Sequence, residues 1–215
     1  MQDNKDTAEK VAEYLLQIKA IRLNKENPFQ WASGWVSPIY CDNRKTLSYP
    51  KVRTFIRQKF SEMIQENFGQ VDVIAGVATG GIAHAALVAQ ELELPLIYIR
   101  SSSKNHGLQN QIEGDLQEGQ RIVVLEDLVS TGMSSLNAVQ ILRNAGYQVM
   151  GMVAIFSYCF EIAKENFKHY QCPLFTLSDY PSLIETAVNK GYITNKDLSS
   201  LNSWRKDPAN WNIYV

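Results

Sequence analysis

A run of four apolar residues that ends in two acids is the feature of this sequence that most constrains its fold. Residues 122–125, IVVL, are aliphatic without interruption, which is typical of a strand buried on both faces of a parallel sheet. Glu126 and Asp127 follow, then the small and hydroxylated residues 130–135, STGMSS, and then a helical apolar pattern that continues to Gly146. The order of strand, acidic pair, small-residue turn and helix predicts one unit of an α/β sheet.

The turn after the acids has the composition of a phosphate site. Gly132 lets the backbone approach a ligand closely, Ser130, Thr131 and Ser134 supply hydroxyl groups, and the first N–H groups of the next helix favour an anion. Two carboxylates would repel a phosphate unless they bind sugar hydroxyls or hold a hard cation such as Mg²⁺. Sugar, phosphate and Mg²⁺ together indicate a phosphorylated ribose. A buried strand with a Ser/Thr helix cap and an incidental acidic pair is the alternative, although ionised groups near a core are costly without partners.

Composition restricts the class of protein. The 215 residues suit one domain with a substantial core, and 45% hydrophobic and 20% charged residues are ordinary for a globular chain. A net charge of −1 creates no strong field toward nucleic acid or an anionic membrane, and no apolar run approaches the roughly 18 residues of a membrane span. The first ten residues lack the pattern of a signal peptide, and Cys41, Cys159 and Cys172 have no metal-ligand spacing. We therefore expect a cytoplasmic protein with free thiols and no nucleic-acid or membrane partner.

Alternating strand and helix patterns predict an α/β fold, with a mostly parallel central sheet flanked by helices. The predicted strands, the first with its Gly-rich turn, are 71–81, 95–100, 122–125, 149–156 and 173–177. The predicted helices are 6–21, 49–68 with Gly69 as its stop, 84–92, 160–170, 180–190 with Ser178 as its cap, and 195–204. Residues 70–180 would form the core of a single domain, preceded by an N-terminal helix, hood and second helix in 1–69 and followed by C-terminal helices in 181–215.

Two further segments accompany this core. The turn 78–81, ATGG, follows a strand as the turn 130–134 does, and such turns converge on the ligand crevice of an open parallel sheet. Residues 101–116 form a long polar excursion between core strands, which predicts a mobile lid; a solvated hairpin with ordinary surface charges is the alternative. Residues 27–50 are dense in aromatic, Pro, Ser and Gly residues, which favours either a specificity segment or a structural hood.

Three blocks carry a resemblance to a known family. LEDLVSTGMSS resembles the signature of type I phosphoribosyltransferases that binds 5-phosphoribosyl 1-diphosphate (PRPP). SGWVSPIYCDNRKTLSYP, at 33–50, is similar to the N-terminal segment of orotate phosphoribosyltransferases. The R-x-x-x-K-x-H-G pattern of Arg100, Lys104, His106 and Gly107 resembles their catalytic loop, with 111–114 as its return strand.

The resemblance implies the type I phosphoribosyltransferase fold and the conversion of orotate and PRPP into orotidine 5′-monophosphate and diphosphate. It implies Lys104, His106 and Asp127 as catalytic residues. Its PRPP contacts are Thr79, Gly80, Arg100, Ser101, Lys104, His106, Glu126, Asp127, Leu128, Val129, Ser130, Thr131, Gly132, Met133 and Ser134. Its orotate contacts are the backbone around Ser37, Tyr40 and Cys41, together with Ser130. It also implies Mg²⁺ held through PRPP, with Glu126 and Asp127 as candidate contacts through water, and a homodimer whose 101–113 loop reaches the neighbouring site.

The chain departs from the family pattern at three positions. Ala32 and Ser101 stand where many members have lysine, and residues 156–159, FSYC, lack the arginine that contacts the carboxylate of orotate. Arg44 and Lys45 are candidates for a basic contact near the hood. A phosphoribosyltransferase for another base and a PRPP-sensing regulator without turnover are the alternative functions.

Overall fold

The computed structural model describes residues 2–31, 33–100 and 111–211. Its α-helices are α1 Gln2–Gln17, α2 Pro50–Phe68, α3 Gly80–Glu91, α4 Met133–Asn144, α5 Glu161–His169, α6 Tyr180–Asn189 and α7 Leu198–Lys206. Its strands are β1 Ile21–Leu23, β2 Phe29–Gln30, β3 Val36–Ser37, β4 Ile39–Cys41, β5 Val73–Val77, β6 Leu96–Ile99, β7 Ile112–Glu113, β8 Arg121–Val129, β9 Gln148–Ser157 and β10 Leu174–Asp179. Short 3-10 helices span Asn43–Ser48 and Asn195–Asp197.

Six strands form the central sheet, in the order β10-β9-β8-β5-β6-β7. All neighbours pair in parallel except β7, which runs antiparallel to β6. Helices α1, α2 and α3 pack together beside the sheet, while α4 packs with α5 and with β8 and β9. The predicted fold class, a mostly parallel sheet flanked by helices, is therefore confirmed. The antiparallel pairs β1–β4 and β2–β3 form the hood predicted for the N-terminal segment.

Residues 122–125 of β8 are fully buried, as their uninterrupted apolar run predicts. The prediction that this strand ends at the acids is wrong, because β8 continues to Val129. Pairing with β5 stops at Gly76 and Leu125, but pairing with β9 continues to Val129 and Ser157. At the acidic pair, therefore, β8 is still paired with β9 but no longer with β5.

Several other predicted boundaries are also wrong. Helix α1 ends at Gln17, and Ile21 begins a strand. Helix α3 begins at Gly80 instead of residue 84, so the Gly-rich turn supplies the first turn of the helix. The predicted helix 195–204 is divided into the 3-10 helix Asn195–Asp197 and α7, which extends to Lys206.

The predicted cap of α6 is also wrong by one residue. Asp179 accepts a hydrogen bond from the main-chain N–H of Ser182 at 2.9 Å and caps the helix. Ser178 lies in β10, and its hydroxyl donates to the main-chain oxygen of Ala8 at 2.8 Å. The predicted stop of α2 at Gly69 is confirmed, because this glycine has φ +62° directly after Phe68.

An aromatic cluster attaches the hood to the body of the domain. The ring of Trp31 lies 5.0 Å from that of Tyr158, measured between centroids, and Tyr158 stacks on Phe160 at 5.4 Å. Trp204 of α7 contacts both Trp31 and Tyr158. Hood aromatics thus form a minor core, one of the two roles expected of them. Trp211, which follows α7, packs against the main core.

Within the parts of the chain that the structure describes, none of the helices has both the length and the apolar character that a bilayer crossing requires.

Candidate active site

A crevice opens between β5 and β8 at the carboxyl ends of these strands. The chain leaves β5 through α3 toward β6, and leaves β8 through α4 toward β9, so the two connections diverge. Such a switch point is where open α/β sheets bind ligands. A cavity of about 580 Å³ occupies this place. Its walls combine the hood, both turns and the acidic strand, including Cys41, Asp42, Arg44, Thr79, Gly80, Arg100, Glu126, Asp127, Ser134 and Asn137.

The glycines at the start of α3 let the helix terminus lie directly on β8. A Cβ atom added at Gly80 would overlap the carboxyl group of Asp127, and one added at Gly81 would overlap the main-chain oxygen of Leu125. The peptide bond between Ala78 and Thr79 is cis, and the Ala78 N–H donates to the main-chain oxygen of Ile99 at 2.8 Å. The positive end of the α3 dipole therefore faces the Asp127 carboxyl group.

Glu126 and Asp127 have different surroundings. Glu126 is 6% exposed, and its carboxylate accepts hydrogen bonds from the Ser135 hydroxyl at 2.9 Å and from the Asp127 N–H at 3.0 Å. Burial, and then the charge of Asp127, raise the pKa of Glu126 well above its usual range, and burial also raises the pKa of Asp127. Carboxyl groups held in this way favour a nearby cation or a hydroxyl donor, because either relieves the cost of burying negative charge.

The turn between β8 and α4 adjoins the cavity, which Leu128 and Ser134 line on either side of the turn. Gly132 has φ +81° at the start of α4 and provides no side-chain cap, so the first N–H groups of this helix stay available to an anion. A Cβ at Gly132 would lie 2.6 Å from the ring of Phe167. Asn166, also on α5, donates from Nδ2 to the main-chain oxygen of Thr131 at 2.9 Å. Helix α5 therefore supports the turn from behind.

A chain of hydrogen bonds joins the hood to β8 and to α3. The Thr46 hydroxyl donates to the main-chain oxygen of Asn43 at 2.6 Å, so its oxygen accepts the bond from His84 Nε2 at 3.1 Å. Asn43 in turn donates to the main-chain oxygen of Asp127 at 2.6 Å. Burial lowers the pKa of His84 to about 4, which keeps the imidazole neutral. His84 is thus a buried residue of α3, and the 3-10 segment that carries Arg44 is attached at two points.

Comparison with known proteins shows the family to which the chain belongs. The model of the phosphoribosyl transferase domain matches residues 45–179. The chain is 56% identical over 200 residues to orotate phosphoribosyltransferase of Bacteroides thetaiotaomicron, covering 93% of this chain and 94% of that protein. The chain belongs to the orotate phosphoribosyltransferase family.

Two further relatives agree. The orotate phosphoribosyltransferase of Phocaeicola vulgatus is 56% identical over 206 residues, which are 95% of this chain and 97% of that protein. The crystal structure of orotate phosphoribosyltransferase from Aeropyrum pernix superposes with a TM-score of 0.74 at 28% identity, covering 85% of this chain and 99% of that chain. Both the sequence and the fold thus place nearly the whole chain in the orotate phosphoribosyltransferase family.

The structure brings together about half of the residues predicted to contact PRPP. Those on the cavity wall are Thr79, Gly80, Arg100, Glu126, Asp127, Leu128 and Ser134. Between Leu128 and Ser134, the end of β8, the turn and the start of α4 contain the next group: Val129, Ser130, Thr131, Gly132 and Met133. Ser101, Lys104 and His106 lie outside the described residues. The base of this segment is described: Arg100 and Gln111 exchange two hydrogen bonds, and β7 returns along β6 as the predicted return strand.

The residues predicted to contact orotate are more scattered. Cys41 lies on the cavity wall. The Tyr40 ring instead packs against Phe29 at 5.6 Å and under the guanidinium of Arg22 at 5.0 Å. Ser37 is fully buried, and its hydroxyl is bonded to both main-chain groups of Ile39. The side chains of Ser37 and Tyr40 therefore lie away from the wall that Cys41 forms.

Sequence reasoning missed four residues that shape the site. Asn43 and Asn166 hold the hood and the phosphate turn, Ser135 holds Glu126, and Asn137 lines the cavity from α4. Ser135 and Asn137 follow the phosphate turn, where the first turns of a helix face the strand before it, and this position was a usable signal. The two others act across long sequence separations and leave no local pattern.

Proposed function

We propose that the chain transfers the ribose 5-phosphate group of PRPP to orotate, giving orotidine 5′-monophosphate and diphosphate in pyrimidine biosynthesis. The observation that carries this proposal is the single cavity whose wall combines the acidic pair, Thr79 and Gly80 of the first glycine turn, Ser134 after the second, and hood residues. The relatives that are 56% identical over nearly the whole chain support the same activity.

In this reaction the bond from the anomeric carbon of ribose to diphosphate breaks, a bond from that carbon to N1 of orotate forms, and the proton of N1 is released together with diphosphate. Positive charge develops on the ribose ring in the transition state. Asp127, half-buried at the cavity wall, would accept hydrogen bonds from the ribose hydroxyls, with Glu126 behind it. The negative charge of Asp127 would stabilise the ring in the transition state more than in the substrate, and this difference accelerates the reaction.

The two turns would divide the phosphates of PRPP between them. The N–H groups at the start of α4 suit the 5′-phosphate, and Ser134 adds a hydroxyl beside them. The turn Thr79–Gly80 and Arg100 suit the diphosphate, with Lys104 and His106 as the predicted cations of the adjoining segment. Cations around the diphosphate would stabilise the negative charge that it gains as it departs.

Mg²⁺ belongs to this proposal as a metal bound mainly through the substrate. Among the described residues no group of three or more His, Cys, Asp and Glu could hold a metal ion. The Asp127 carboxylate on the cavity wall is nevertheless an oxygen donor of the kind that Mg²⁺ accepts, directly or through water. When bound, the ion would neutralise charge on the diphosphate.

We further propose a cytoplasmic homodimer in which residues 101–113 reach the neighbouring site.

An absorbance assay tests the reaction. Purified protein, PRPP and Mg²⁺ are mixed with orotate, and the loss of orotate absorbance is followed, with adenine, hypoxanthine and uracil in parallel product assays. We expect turnover of orotate alone, a strong loss of turnover in Asp127→Asn, and a larger fall in kcat than in orotate affinity for Lys104→Ala. Binding of PRPP without turnover of any base would instead assign the chain to the non-catalytic regulators.

A further inference from the structure

Arg44 is a cation next to the hood, and its side chain lines the cavity. The proposed binding of the PRPP phosphates assigns no ligand to it. Among the described residues, the cationic side chains on the cavity wall are Arg44 and Arg100. Arg100 pairs with Glu113 at 3.2 Å and adjoins the turn 78–81, the side of the cavity assigned to diphosphate. Arg44 lies three residues after Cys41, on the hood side where a base would enter.

The guanidinium of Arg44 is positioned by its neighbours. Its Nε donates to Asp42 at 2.7 Å, which uses one of five N–H donors and leaves both terminal nitrogens without a hydrogen bond among the described residues. Asn43 and Thr46 attach the surrounding 3-10 helix to β8 and α3. A guanidinium fixed through Nε presents its other nitrogens as a planar pair, which matches a carboxylate in a bidentate contact.

Among the described residues, the other charged side chains that line the cavity near the hood are acidic. Asp42 and Asp127 would repel an anionic base. At the end of β9, Ser157 and Tyr158 are buried and uncharged, and Tyr158 belongs to the aromatic cluster. Orotate differs from uracil by a carboxylate on C6, which is ionised at neutral pH. Its charge therefore needs a cation on the hood side of the cavity.

We propose that Arg44 binds the carboxylate of orotate and thereby makes the site selective for a carboxylated pyrimidine; this inference rests on the proposed function. Asp42 is then a positioning residue, because it holds the guanidinium without touching the base. The same arrangement lets the cavity keep its acids near the ribose while it accepts an anionic base.

Arg44→Gln tests this role, and Lys45→Gln is the matched control. Both remove one positive charge from adjacent exposed positions of the same 3-10 helix, but the Lys45 ammonium is bonded to the main-chain oxygen of Lys19 at 3.1 Å and does not line the cavity. We expect Arg44→Gln to raise KM for orotate by about 10-fold to 100-fold, the effect of losing a charged hydrogen-bond pair. KM for PRPP and the inhibition constant of uracil should stay within about 2-fold, and Lys45→Gln should resemble the unmodified protein.

The outcomes separate this inference from the proposed function. If the unmodified protein does not turn over orotate, the proposed function fails, whatever Arg44 does. If it does turn over orotate, the inference is overturned when Arg44→Gln leaves KM for orotate unchanged, or raises KM for PRPP or the uracil inhibition constant by the same factor. Arg44→Lys keeps the charge but loses the planar pair of nitrogens, so its KM for orotate should lie between the values of the unmodified protein and of Arg44→Gln. Arg44→Lys also tests the inference if Arg44→Gln fails to fold.

Discussion

Asn43 donates a hydrogen bond from Nδ2 to the main-chain oxygen of Asp127 at 2.6 Å, across 84 residues of sequence. The amide is fully buried, and its own oxygen lies 3.1 Å from the thiol sulfur of Cys41. One side chain therefore couples the hood, which carries Cys41 and Arg44, to the strand that carries the acidic pair. The shape of the cavity depends on this bond as well as on the residues that line it.

Replacing Asn43 by Ala should destabilise the protein and loosen the hood. The change leaves the Asp127 carbonyl without its buried donor, which we expect to cost about 1–3 kcal/mol in the free energy of unfolding. Asn67→Ala is the control, because the Asn67 amide makes a similar bond to the main-chain oxygen of Met63 at an exposed position. Urea titration of both variants measures the difference; equal stabilities would show that the buried bond contributes little.

Replacing Gly80 by Ala should displace the Asp127 carboxyl group and lower activity more than stability. The added methyl group would overlap the carboxyl atoms of Asp127, so either the start of α3 or the side chain must move. Misplacing a group in an active site by about 1 Å costs on the order of 100-fold in rate. We expect kcat/KM for PRPP to fall by that order, while the melting temperature identifies any general unfolding. Activity equal to that of the unmodified protein would contradict the close contact.

His84 should make the stability of the fold depend on pH. Burial lowers its pKa in the folded protein to about 4, whereas the unfolded chain binds the proton near its ordinary value of 6.5. The contribution is therefore complete above about pH 6.5 and is lost as the pH falls from there toward about pH 4. The expected loss between about pH 7 and pH 5 is about 2 kcal/mol.

Free energies of unfolding at the two pH values, measured for His84→Gln and for His169→Gln, test this dependence. His169, which is exposed at the end of α5, serves as the comparison position. His84→Gln should flatten the slope of stability against pH over the same range. The same slope in both variants would show that carboxyl groups alone cause the acid sensitivity.

Replacing Asn166 by Ala should weaken the binding of PRPP from a distance. Asn166 does not line the cavity, but it holds the main-chain oxygen of Thr131 within the phosphate turn. Loss of one neutral hydrogen bond, about 1 kcal/mol, predicts a rise in KM for PRPP of about 5-fold and a smaller change in KM for orotate. Glu165→Ala, at an exposed neighbouring position of α5, should change neither constant. An equal rise in both constants would indicate a general loss of structure.

Much of the fold could be predicted because its signals are local. The four aliphatic residues 122–125 are all buried in the sheet, and the glycine after Phe68 ends α2. Boundaries were predicted less well where a neighbouring strand decides them. Strand β8 passes through Glu126 and Asp127, residues that do not favour strands, because β9 continues to pair with it on one side.

The alternation of strands and helices, the two glycine turns and the acidic pair between them are all encoded locally in the sequence. These features depend on side-chain size, polarity and backbone freedom over a few adjacent residues, so they can be recognised without a structure. The contacts between distant groups depend on the folded chain: Asn43 meets Asp127, His84 meets Thr46, and Asn166 meets Thr131. The physical reason is that a hydrogen bond requires two groups at a set distance and angle. That geometry exists only after the sheet has brought remote segments together.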